Sequence, residues 1–131
     1  MKYLLDTHIL LWALTNSPKL GDKAKDIISN YDNELWFSSA SVWEIAIKIS
    51  SGKVKDDELI EPDLFYQTLL QEGYQELTIN SMHSNQVRFM PFIHKDPFDR
   101  MLIAQAKTEK LIFMTADEKI AKYHDCQLLI I

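Results

Sequence analysis

Asp6, Glu44, Asp99 and Asp117 each stand where an apolar run gives way to a helix start. Their segments are Leu4-Leu5-Asp6-Thr7-His8, Ser41-Val42-Trp43-Glu44, Asp96-Pro97-Phe98-Asp99-Arg100 and Thr115-Ala116-Asp117-Glu118. Carboxylates gathered from distant parts of a chain repel one another, so a fold that collects them normally does so around a hard divalent cation bound through oxygen. The chemistry this suggests is metal-assisted reaction at phosphate. Taken singly, each acid is equally well explained by capping, because helix starts favour side-chain acceptors and negative charge in the first turn. Ser41 with Glu44, and Thr115 with Glu118, have the spacing of a capping box, and Asp96 before Pro97 reads as a cap followed by the first helical residue. If Thr7, Asp96 and Thr115 do the capping, then Asp6, Asp99 and Asp117 are left over, and the set as a whole favours a metal site.

Other polar residues carry less information. No two histidines are three or four apart, so zinc spacing is absent, although His8 could face the site from just past Asp6. His83, His94 and His124 are expected at the surface or in packing. Lys48 follows Glu44 by four residues, an ordinary helix ion pair, with phosphate contact as the alternative. Arg100, one of two arginines, adjoins Asp99 and could serve either the pocket or the structure. Thr7, His8, Lys48, Arg100 and Thr115 are therefore candidate substrate contacts. Trp12, Trp36 and Trp43 read as core, though an exposed one would suit a partner interface.

These residues need a frame. At 131 residues the chain has the size of one domain, spanning 1–131, and its 47% apolar and 25% charged composition is that of a soluble globular protein. Asp6 interrupts any signal-peptide apolar core, and no apolar stretch reaches membrane-spanning length, so a cytoplasmic protein with no membrane association is expected. The single Cys126 allows no internal disulfide and reads as a small buried residue. A net charge of −5 argues against a nucleic-acid coat protein, which needs a basic face, but not against a nuclease whose bound cation attracts phosphate.

Strands are expected at Lys2–Leu5, Leu35–Ser38, Leu77–Asn80, Leu111–Met114 and Gln127–Ile131. Helices are expected at Thr7–Leu14, Asp22–Tyr31, Ser41–Ser50, Pro62–Glu72, Ser81–Met90, Pro97–Lys110 and Asp117–Tyr123, with a polar loop at Asp56–Glu61. Continuous apolar strands separated by helices indicate an α/β fold with a parallel sheet covered on both faces. In such a sheet the strand C-termini and helix N-termini share one edge, which is where all four acids are assigned.

At these residues the chain resembles the PIN-domain family, in particular the VapC-like toxins of bacterial toxin–antitoxin pairs. Leu5-Asp6-Thr7-His8-Ile9-Leu10-Leu11-Trp12 and Ser39-Ala40-Ser41-Val42-Trp43-Glu44-Ile45-Ala46-Ile47-Lys48 look like the family's first two acidic blocks. His94-Lys95-Asp96-Pro97-Phe98-Asp99-Arg100-Met101-Leu102-Ile103-Ala104-Gln105-Ala106 looks like the third and is the most specific, and Thr115-Ala116-Asp117 resembles the fourth. The resemblance implies a three-layer α/β/α fold with five parallel strands in the order 3-2-1-4-5. It further implies a metal-dependent endoribonuclease with Asp6, Glu44, Asp99 and Asp117 around Mg²⁺ or Mn²⁺, acting on RNA, silenced by a cognate antitoxin and commonly homodimeric. Within that expectation Asp6 and Asp99 bind the metal directly and Glu44 binds it directly or through water. Asp117 binds a second ion or stands one layer out. Two rivals remain: a phospho-accepting receiver domain, which expects an acidic pair after its first strand, and a catalytically inactive PIN-like module that binds RNA or protein.

Overall fold

The computed structural model describes residues 1–52 and 59–131. Its strands are β1 (Lys2–Leu5), β2 (Glu34–Ser38), β3 (Gln75–Leu77), β4 (Ile112–Thr115) and β5 (Gln127–Ile130), all parallel in one sheet of order β3-β2-β1-β4-β5. Helices α1 (Thr7–Leu14), α2 (Asp22–Ser29), α3 (Ser39–Ser50), α4 (Pro62–Gln71), α5 (Ser81–Gln86) and α6 (Pro97–Glu109) cover it, with 3₁₀ turns at Val87–Phe89 and Glu118–Lys122.

The apolar strands are continuous because both faces of the sheet are buried. Successive side chains point to opposite faces, and Leu5, Phe37 and Met114 accordingly join Ile9, Leu10, Ile45, Phe65 and Leu69 in one core. Their neighbours Leu4 and Phe113 join Leu102, Ile103, Ile120 and Tyr123 in the other. The order places β1 at the centre, with later strands added first on one side and then on the other. The resulting crevice lies beyond the C-terminal ends of β1 and β4, where Asp6 N–H donates to the Met114 carbonyl at 2.9 Å.

Several boundaries differ from the sequence expectation, each for a local reason. Helix α3 starts at Ser39, two residues early, because Ser38 caps it by accepting from Ala40 N–H. Ser41 is therefore inside the helix, and the Ser41/Glu44 capping box does not form. Thr115 ends β4 and the cap that follows it is Asp117, which accepts from Lys119 N–H, so the Thr115/Glu118 box does not form either, and the turn it was to open is 3₁₀ rather than α. Strand β3 lies two residues before its expected start because Asn80 is committed to capping α5 in a reciprocal box with His83. The helix expected from Ser81 to Met90 breaks into α5 and a 3₁₀ turn, and α2 ends before Tyr31, which is fully exposed. Cys126 is half-buried. Of the loop expected at 56–61, residues 56–58 lie outside the described residues, and 59–61 precede α4 without helix or strand. Among the described residues no helix is long and apolar enough to cross a membrane.

Helices α3 and α4 are followed by Gly52 and Gly73 with φ of +67° and +92°, the left-handed conformation that ends helices cheaply only for glycine. Helix α6 reaches the same conformation with Lys110 at φ +58°. Lys110→Gly is accordingly expected to raise stability by about 0.5–1 kcal/mol. A lower midpoint than wild type in urea unfolding would contradict this.

Candidate active site

Asp6 leaves β1 as the cap of α1 and is almost fully buried. Its two oxygens accept from Thr7 N–H and from the Thr115 hydroxyl, each at 2.7 Å. Thr115 Oγ1 in turn accepts from Asp117 N–H at 3.1 Å, so the ends of β1 and β4 are linked through one carboxylate and one hydroxyl. Glu44 reaches the same crevice from the second turn of α3. The Thr7 hydroxyl lies 2.8 Å from both Glu44 Oε1 and Ser41 Oγ, and Lys48 Nζ lies 3.1 Å from Glu44 Oε2.

Asp96 caps α6 by accepting from Phe98 and Asp99 N–H groups, with Pro97 in the first turn, where its missing N–H costs nothing. This fixes the turn that aims Asp99 inward. His94 Nε2 lies 2.8 Å from Asp99 Oδ2 and 3.8 Å from Asp117 Oδ2. Buried Gln105 secures the other end of this arrangement, contacting the Ser38 hydroxyl and donating to the Leu77 carbonyl. An open pocket of about 470 Å³ results, lined by Asp6, Glu44, Asp99 and Asp117 with His8, Lys48 and Lys119 among its rim groups.

Burial and mutual repulsion oppose ionisation of two of these carboxyls. Burial raises the Asp6 carboxyl above its ordinary value against the two hydrogen bonds that lower it. Asp99 is pushed up to about 7, first by burial and then by the charges of Asp6 and Asp96, with His94 opposing. Oxygen donors crowded at this density, with two of them reluctant to ionise, suit a hard divalent cation. His94, Asp99 and Asp117 offer ligand atoms within 4.8 Å of one another, and Asp6 and Glu44 line the same pocket.

The structure thus brings together all four acids expected from the sequence, together with His8 and Lys48 at the rim. Thr7 and Thr115 are buried and engaged with Glu44 and Asp6, orienting carboxylates rather than facing the opening. Arg100 points away from the pocket. Its guanidinium is buried and donates to the carbonyls of Pro91 and Val87 and to the Tyr123 hydroxyl. Arg100→Ala would leave those oxygens without their donor, and a loss of about 3 kcal/mol in urea unfolding is expected. A cost below about 0.5 kcal/mol would show the network to be idle. Two further corrections concern aromatic and imidazole residues. His94, expected at the surface or in packing, contacts Asp99; the signal available was its place just ahead of the Asp96-Pro97 cap, which folds the chain back on itself. Trp43, expected in the core, is 58% exposed and meets Phe98 edge-on, while Trp12 and Trp36 are only partly buried.

Fold and site together define a three-layer α/β protein with a carboxylate-lined crevice at its sheet switch point. A family model of the PIN domain matches residues 3–125, and the chain belongs to that family. Among solved structures, that of VapBC2 from Rickettsia felis bound to a DNA fragment from their promoter is similar at TM-score 0.72 and 17% identity, covering 99% of this chain and 98% of that one. DNA-bound VapBC from Salmonella typhimurium is similar at TM-score 0.70 and 14% identity, with 99% and 98% covered. FitAcB from Neisseria gonorrhoeae is similar at TM-score 0.62 and 16% identity, with 97% and 96% covered. At these identities the likeness concerns the fold. No curated protein matches the sequence significantly.

Proposed function

We propose that this chain is the toxin of a toxin–antitoxin pair, a Mg²⁺- or Mn²⁺-dependent endoribonuclease that hydrolyses RNA phosphodiester bonds. The observation that carries the reading is the convergence of Asp6, Glu44, Asp99 and Asp117 on one open pocket of a PIN domain. Asp6 and Asp99 would hold the cation, with Glu44 and Asp117 completing or orienting its surroundings. When bound, the cation supplies an activated water and charge stabilisation at phosphate. The chain's own residues set the geometry. Thr7 and Thr115 fix the carboxylates of Glu44 and Asp6, and His94 orients Asp99. Lys48 and Lys119 give the rim positive groups against an RNA backbone, with the His8 ring beside them.

A protein antitoxin and a homodimer belong to the same proposal. Its support is the fold shared with VapBC and FitAcB, and the apolar area that α3 and α4 leave exposed at Trp43, Ile47, Leu64 and Leu70. Such a toxin would act in the cytoplasm, where its RNA is. The receiver-domain alternative needs an acidic pair after β1, where this chain has Asp6 alone. Expression of the chain by itself should arrest bacterial growth, and Asp6→Asn at equal protein level should not. Persistent arrest by Asp6→Asn would detach toxicity from the carboxylate site.

A further inference from the structure

The segment Arg88-Phe89-Met90-Pro91-Phe92-Ile93-His94-Lys95 contains no acid in a chain of net charge −5, and it leads directly into the active-site crevice through His94. Phe92 is 73% exposed, a large apolar ring that folding leaves in water. It is nevertheless held in place. The Arg100 guanidinium lies 5.0 Å from the ring centre on one side, and that guanidinium is itself locked by the Pro91 and Val87 carbonyls and the Tyr123 hydroxyl. Tyr123 also accepts from His94 N–H at 2.9 Å, so one buried Arg–Tyr pair fixes both Phe92 and the backbone of the residue that touches Asp99. Phe92 precedes His94 by two residues, so their Cα atoms are at most about 7 Å apart, close to the spacing of neighbouring nucleotides in an extended strand.

Resting on the nuclease reading, we propose that Phe92 is a stacking platform for an unpaired base of single-stranded RNA next to the cleaved phosphate, with Arg88 and Lys95 holding the adjoining phosphates. A ring supported from beneath and open above suits one planar base, which stacks without sequence preference. Phe89 and Ile93 in the same segment are also exposed, but the cations on either side of Phe92, with no acid between them, match a phosphate backbone. The Arg88 guanidinium lies 4.4 Å from the centre of the Phe89 ring, which holds it at the surface in the same segment.

The test is binding of a short single-stranded RNA of mixed sequence, labelled at one end, in Ca²⁺ at low salt. Phe92→Ala should weaken binding about 5- to 150-fold, Phe92→Tyr should restore it, and thermal stability should be unchanged. Duplex RNA of equal length, whose bases are already stacked, should bind wild type and Phe92→Ala alike. In Mg²⁺ the loss should appear in KM rather than kcat. Equal binding of the single strand by wild type and Phe92→Ala, or no binding by wild type, overturns the platform. So does a Phe92→Ala protein altered only in self-association, which would assign the ring to protein contact. RNA binding that depends on Phe92 without any cleavage by wild type in Mg²⁺ would instead overturn the nuclease reading and leave the platform standing.

Discussion

Asp99→Asn is expected to reduce RNA cleavage by on the order of a thousandfold or more, while the metal-free protein becomes no less stable. The two effects have one cause. Asp99 is partly buried, and that burial, followed by the charges of Asp6 and Asp96, opposes its ionisation. Removing its charge relieves repulsion that can reach a few kcal/mol at close range and also removes a ligand. Its neighbour three residues earlier should behave in the opposite way. Asp96 accepts from Phe98 and Asp99 N–H groups, so Asp96→Ala should cost about 1 kcal/mol of stability and leave much of the activity. Measured side by side, thermal melts without metal and cleavage rates separate the two roles. An active, clearly destabilised Asp99→Asn would make Asp99 a structural residue.

Metal affinity should fall about tenfold for each pH unit below about 7, because the cation must displace the proton that Asp99 holds there. Stability of the metal-free protein should run the other way. An acid whose folded-state value is raised binds more protons folded than unfolded, so its contribution is complete below its ordinary value of 3.8 and is lost as the pH rises through about 7. Raised Asp6 acts in the same direction. Calorimetric titration with Mn²⁺ between pH 5 and 8, and metal-free melts over the same range, should give opposite slopes. A metal affinity independent of pH would place the binding elsewhere.

Asp6 and Asp117 could be read from the sequence because each lies just past a strand end, where the apolar run shows on the chain, while Asp99 is marked by the Asp96-Pro97 cap and Glu44 by the apolar helix that carries it. Continuous apolar strands such as Lys2–Leu5 showed in the same way that both faces of the sheet are covered. Side-chain direction was not legible. Thr7 and Thr115 offer alternative caps in the sequence, yet Asp6 and Asp117 each cap and line the pocket at once. A carboxylate has lone pairs enough for both, so the two roles were never exclusive. Arg100 adjoins Asp99 in sequence, but one residue along a helix turns the side chain by about 100°, enough to move it from pocket to buried network. His94 has no histidine at helical spacing to mark it on the chain, and its contact with Asp99 is made across the start of α6. Trp43 could not be distinguished from core, since its apolar helix face continues onto a surface that this chain alone does not cover.

The most direct measurement is cleavage of RNA by the purified chain with and without divalent cations. The account predicts no cleavage in excess chelator, recovery with Mg²⁺ or Mn²⁺, and little turnover with Ca²⁺, which is larger and less demanding of octahedral geometry. Full cleavage in excess chelator would contradict it.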